Sequence, residues 1–218
     1  MTIGDHLRDF HGLPVFEFPA PGAAVELPEA ASVAWRLSAS TYADPGEESW
    51  EPLFERFLAT VDTTAVRAVV VGGWEEAYDT SSAAIVKALV GANDRLTGLE
   101  AVFLGDMTVE DCEISWIIQS DVTPLLAAYP ALRELGVRGG TGLAFPPVTH
   151  GALRALVVET GGLGAEVVRG VAASDLPALE RLELWLGTEE YGADTTVTDL
   201  VLPAAERRSA KRPPSWVK

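Results

Sequence analysis

Leu132-Arg133-Glu134-Leu135-Gly136-Val137 and Leu153-Arg154-Ala155-Leu156-Val157-Val158 decide the fold, because each places an apolar residue and follows it at +3 and +5 with two more. Six segments carry this pattern, starting at Ser32, Val66, Leu99, Leu132, Leu153 and Leu179, at spacings of 34, 33, 33, 21 and 26 residues. The +3 and +5 positions are Trp35 and Leu37, Val69 and Val71, Val102 and Leu104, Leu135 and Val137, Leu156 and Val158, and Leu182 and Leu184. All are apolar. Side chains of a strand alternate between its faces, so these twelve line one face buried in a core shared by neighbouring repeats. Recurrence of one strand unit along a chain is the mark of a stacked repeat architecture.

The alternate positions read differently. They include Arg36, Glu134, Arg138, Glu159, Arg181 and Glu183, together with Val70, Phe103, Val157 and Trp185. A doubly wound sheet has helices on both faces, so its strands are apolar in both directions, whereas a solenoid wets its inner face. Charges at Arg36, Arg138 and Glu183 in mid-strand therefore predict an α/β horseshoe solenoid, with parallel strands on the concave face and helices on the convex one.

Composition narrows the function. The chain has 218 residues, 48% of them hydrophobic, enough for one domain with a substantial core. Its net charge of −16 argues against nucleic acid as a partner, since phosphate contacts require clustered Lys and Arg. Five of the cations, Arg207, Arg208, Lys211, Arg212 and Lys218, lie in the last twelve residues, and removing them from −16 leaves residues 1–206 at −21. Cys112 is alone, so no intramolecular disulfide and no thiolate metal cluster is expected. No 18-residue apolar run and no apolar leader core stand in the chain, which predicts a cytoplasmic, soluble protein with no membrane partner.

Residues 1–31 lack the repeat and carry four prolines, and are expected to cap the first strand with Leu13, Val15, Phe16 and Phe18. The repeats occupy 32–206. Helices are predicted over 49–61, where Trp50, Leu53, Phe54, Phe57, Leu58 and Val61 form one stripe, and over 81–96 behind a Ser81 or Ser82 cap. Others are predicted after Asp121 with Pro124 in the first turn, over 165–173, and around 196–206. Between Gly139 and Leu153 the stretch GGTGLAFPPVTHG rules out a helix and predicts an irregular crossover. Residues 207–218 read as an atypical basic tail or as a truncated or frameshifted end. On either reading the Leu179 strand lacks a following partner, and the chain is expected to self-associate through that edge.

The segments LRELGVRGG, LRALVVETG and LERLELWLG resemble leucine-rich repeats, most closely the long repeats of ribonuclease-inhibitor type. The stretches MTIGDHLRDFHGLPVFEF, VFLGDMTVEDCEISWIIQSDVTPLL and ETGGLGAEVVRG are similar to an uncharacterised bacterial leucine-rich-repeat family named after an enterobacterial locus, over about residues 1–203. The resemblance implies a fold and a protein-binding role, and no activity. One departure concerns the turns: where the usual repeat has an Asn that bonds neighbouring backbone, this chain has Ser40, Trp74, Met107, Gly140, Gly161 and Gly187.

No catalytic motif stands out. His6 and His11 beside Asp5 and Asp9, and the acidic run Glu110, Asp111, Glu113 around Cys112, lack the spacing of a ligand set, and no metal or cofactor is expected. Gly72-Gly73 and Gly161 to Gly164 follow strands but match neither phosphate-binding fingerprint. An α/β enzyme that uses those turns to hold a phosphate is the alternative reading. The favoured one is a non-catalytic interaction module that offers another protein its concave face, formed by Arg36, Val70, Phe103, Asp106, Glu134, Arg138, Val157, Glu159, Arg181, Glu183 and Trp185.

Overall fold

The computed structural model describes residues 3–42, 46–196 and 198–199. Among the described residues the fold is α/β, an eight-stranded, mostly parallel sheet curled into a half-barrel, with four α-helices. Strand β1 (Asp9–Phe10) pairs antiparallel with β2 (Leu13–Glu17). From β2 onward every pair is parallel and in chain order: β3 (Ala34–Leu37), β4 (Ala68–Val71), β5 (Ala101–Leu104), β6 (Glu134–Arg138), β7 (Ala155–Glu159) and β8 (Arg181–Leu184). The register follows the sequence motif. Trp35, Val69, Val102, Leu135, Leu156 and Leu182 are successive Cα partners across the sheet, so equivalent repeat positions stack in one row.

That row and the next, Leu37 to Leu184, face helices α1 (Trp50–Thr60), α2 (Ala83–Gly91), α3 (Thr123–Ala128) and α4 (Ala165–Ala172) across the main core. In α1 the stripe Trp50, Leu53, Phe54, Phe57 and Leu58 is buried as its spacing requires, and Phe57 meets Trp35 at 5.6 Å between ring centroids. Ser82 is the N-cap of α2, but its hydroxyl turns to the Ser120 hydroxyl at 3.0 Å instead of capping the helix. The 139–153 crossover holds no helix. It is tied to its neighbours by single bridges, Ile118 to Thr141 and Asp121 to Ala144, and its Leu143 and Phe145 fill the space a helix would take. The helix predicted around 196–206 and the basic segment 207–218 lie outside the described residues, apart from 196, 198 and 199.

Without an Asn ladder, the turns after the strands close through short side chains and glycine. Ser38 Oγ accepts from Gly73 N at 2.8 Å, Thr160 Oγ1 donates to Trp185 O at 2.9 Å, and Gln119 Nε2 donates to Arg138 O at 2.7 Å. A Cβ at Gly140 would stand 2.6 Å from the Gly162 carbonyl oxygen, so only glycine lets those two turns approach.

The inner face is not the open, wet surface that the charge pattern predicts. Residues 3–12 fold over its first half. Phe10 and Leu13, with Leu7 and Val15 alongside, form a second apolar cluster with Ala34, Ala68, Val70, Ala101 and Phe103. Val70 and Phe103 are therefore buried, as is Val157 further along. Arg36 and Arg138, expected in water, are 8% and 3% exposed. Arg36 lies against His6 of the N-terminal segment, Arg138 is enclosed by Asp106, the Met107 carbonyl and Glu159, and the apolar cluster on this face contains no helix residue.

Candidate functional site

Burying two guanidiniums requires compensating charge, and the sequence supplies it on adjacent strands. Asp106, just past β5, is wholly buried and stands between them: its carboxylate accepts from Arg36 Nε at 2.9 Å and Arg138 Nη1 at 3.1 Å. Glu17 accepts from Arg36 at 2.5 Å and Glu159 accepts from Arg138 Nε at 2.8 Å. Glu17, Arg36, Asp106, Arg138 and Glu159 thus form one alternating ladder across the inner face. Two glycines on this face make room, one for the Arg36 side chain and one for the Phe103 ring. A Cβ at Gly72 would lie 2.7 Å from Arg36 Nη2, and one at Gly136 would overlap the Phe103 ring.

The ladder also holds the covering segment. Leu7 N donates to Asp106 at 3.1 Å, and His6 Nδ1 lies 3.2 Å from Arg36 Nη2. At the other end of the strands the β1–β2 hairpin is pinned by its turn. His11 and Gly12 both have positive φ, 54° and 70°, as a two-residue hairpin turn of the favoured twist requires. Left-handed backbone is uncommon for histidine, and here it aims the ring at two carboxylates. His11 Nδ1 donates to Glu134 at 3.0 Å and Nε2 lies 3.4 Å from Glu100. Arg67 and Arg133 also reach Glu100, at 2.8 and 3.3 Å. Burial pushes the Glu100 carboxyl up, but bonds and charges from Arg67, Arg133 and His11 outweigh it and hold the group below the usual carboxylate range.

What stays open is a cleft of about 420 Å³ between the hairpin and strands β5–β8. Phe10, Phe103, Gly136 and Val157 form its floor, and Asp9, His11, Glu134, Glu159 and Arg181 its walls. Of the eleven expected inner-face residues, Phe103, Glu134, Val157, Glu159 and Arg181 meet here. Arg36, Asp106 and Arg138 are internal ladder members, and Val70 is core. Glu183 accepts from Arg181 at 2.8 Å and from Trp185 Nε1 at 3.0 Å, a half-buried group beside the cleft.

The glycine turns are packed against the chain itself. A Cβ at Gly73 would stand 2.5 Å from the Ala39 carbonyl oxygen, so that turn packs against its neighbour. The first amide of α4, Ala165 N, already donates to Asp194 at 2.6 Å, where an anion would sit. Among the described residues the strands follow chain order, without the reversal at which doubly wound folds place their ligands. Among the described residues no group of three His, Cys, Asp or Glu side chains is placed to hold a metal ion. No helix among them is long and apolar enough to cross a membrane.

Sequence reasoning passes over a second surface. Tyr42, Tyr78, Val109 and Trp116 stand exposed around a depression of about 490 Å³ on the loops that follow β3, β4 and β5. The signal for it lies in composition: loops 38–49, 72–82 and 105–122 hold eleven Asp and Glu and no Lys, Arg or His, yet each carries a Tyr or Trp.

No protein-family model matches this chain, and no curated protein does. A crystal structure of a Bacteroides fragilis protein, determined as a structural-genomics target, is similar at 31% identity and a TM-score of 0.63 over 67% of this chain. The match spans 42% of that protein's length. The likeness extends to the fold of the matched part.

Proposed function

We propose that the chain is a non-catalytic protein-binding module, built as a leucine-rich-repeat solenoid of residues 32–206 behind an N-terminal cap of residues 1–31. Strictly sequential strands and lock-step register of the repeat positions support the solenoid reading. The observation that carries the binding role is the cleft: an apolar floor with two aromatic rings, walled by charges of both signs, at the margin of the N-terminal hairpin over the inner face. The partner is another protein, and the recognition surface is the β5–β8 portion of the sheet. A lone buried cysteine supports a reducing, cytoplasmic setting. Self-association through β8 belongs to the same proposal, since among the described residues β8 stands at the end of the strand order.

A photo-crosslinking side chain at exposed Arg181 tests the cleft, with the same group at exposed Lys87 on helix α2 as control. The expected result is a discrete adduct from position 181, lost in a Glu134→Arg background, and none from position 87. Equal labelling from both positions overturns the reading. Sedimentation as a monomer at high concentration removes the β8 edge from it.

A further inference from the structure

We propose that the rim formed by the loops after β3, β4 and β5 binds a cationic, Arg- or Lys-bearing peptide segment of another protein, at a site separate from the cleft. Three observations converge on it. Trp116, Tyr42 and Tyr78 are 63%, 58% and 46% exposed, and with Val109 they make four of the six large apolar side chains left exposed among the described residues. They gather around one depression, where scattered exposed side chains would need no explanation. Charge on this rim is of one sign. Loops 72–82 and 105–122 bring Glu75, Glu76, Asp79, Glu110, Asp111 and Glu113 with no basic residue among them.

The nearby cations are already occupied. Arg36 and Arg138 are buried against Asp106, and Arg56 is paired with Glu48 at 2.6 Å. His6 Nε2 lies 3.5 Å from Asp111. Carboxylates beside exposed aromatic faces suit a guanidinium or ammonium, which gains from the ring face and the charge together. The same surface repels an acidic or phosphorylated partner.

The surface is also held in place. Thr41 Oγ1 donates to Asp111 O at 2.7 Å, Glu76 N to Thr41 O at 3.1 Å, and Ile118 N to Ala77 O at 2.9 Å, so each loop is fixed to the next. Side chains presented on fixed backbone lose less entropy on binding than those of a loose loop.

The test is fluorescence anisotropy of the full chain with a labelled octapeptide of alternating arginine and leucine, and with its glutamate counterpart. The arginine peptide is expected to bind and the glutamate peptide not to bind. Affinity is expected to fall at least tenfold in a Tyr78→Ser, Trp116→Ser double variant, whose exposed side chains can be lost with the melting temperature unchanged. Unaltered binding to that variant overturns the proposal, because it assigns the attraction to the acidic body as a whole. Loss of binding in Glu134→Arg, with the double variant still binding, moves the peptide to the cleft; it overturns the rim while the module reading stands. The chain's own cations are the remaining occupant. Changing Arg207, Arg208, Lys211, Arg212 and Lys218 together to Glu in the full chain is expected to leave peptide affinity unchanged, and a tenfold gain would overturn the separate partner.

Discussion

Removing the Asp106 carboxylate tests whether the buried ladder holds the N-terminal segment to the sheet. Asp106→Ala leaves Arg36 and Arg138 buried with one carboxylate partner each, Glu17 and Glu159, at opposite ends of the ladder. Deleting one member of a buried charge network costs about 3–5 kcal/mol when the remaining charge is left unpaired. Here each guanidinium also keeps a backbone acceptor, Arg36 on the carbonyl of residue 106 and Arg138 on that of Met107, which places the expected loss near the lower figure, ~3 kcal/mol. That is a large part of the ~5–15 kcal/mol that stabilises a domain. Asp106→Asn retains an acceptor and the side-chain volume, and is expected to lose less. Leu7 N also loses its carboxylate in the Ala variant, so residues 3–12 should open locally before the sheet unfolds. Urea unfolding gives the global loss, and trypsin cleavage after exposed Arg8 gives the local one. An unfolding free energy within about 0.5 kcal/mol of wild type, with no faster cleavage, would refute the reasoning, since surface substitutions do no more than that.

Four further outcomes follow from the packing and the titrating groups. Gly170→Ala should stabilise α4 by about 1 kcal/mol on helix propensity alone, but its Cβ would overlap the Phe145 carbonyl oxygen in the helix-free crossover; a lower melting temperature is expected, and a higher one would contradict that contact. Gly136→Ala displaces the Phe103 ring from Phe10, which it meets edge-on at 5.8 Å, and should cost about 1–3 kcal/mol by denaturant titration while opening the hairpin to protease. Burial, with Glu113 and Asp111 adding to it, pushes the Cys112 thiol up to about 11 from 9.0, so alkylation at pH 8 should run roughly 100-fold slower in the folded chain than in urea; equal rates would show the thiol to be open. The Glu100 carboxyl is held low, so its contribution to stability is present above its unfolded value of 4.5 and is lost as pH falls through the lower folded value; acid titration of Glu100→Gln should show a shallower loss below pH 4.5 than wild type.

How much of the fold can be read from sequence depends on the range of the interaction. The strands and α1 follow from local spacing, since Leu135, Val137 and their counterparts repeat every strand and α1 repeats every turn. The helix-free crossover follows from Gly and Pro between 139 and 153. Of the candidate sites, Glu134, Glu159, Arg181, Phe103 and Val157 were legible as inner-face positions and do meet at the cleft. Asp9, Phe10 and His11 were not. They reach the cleft only because a left-handed turn folds them across the sheet, and no period in the sequence marks that.

The sequence by itself determined which side chains share a face and in what register the strands stack, because alternation and repeat length are properties of a few consecutive residues. Tertiary structure alone decided that half of that face is closed. Covering it takes contacts between residues 99 to 123 positions apart, Leu7 with Asp106 and His11 with Glu134, while Arg36 and Arg138 are buried against Asp106. A mid-strand charge reports only that it must be compensated. Whether water or a buried carboxylate does so depends on which distant segment packs above it, and here Asp106 took the place of solvent.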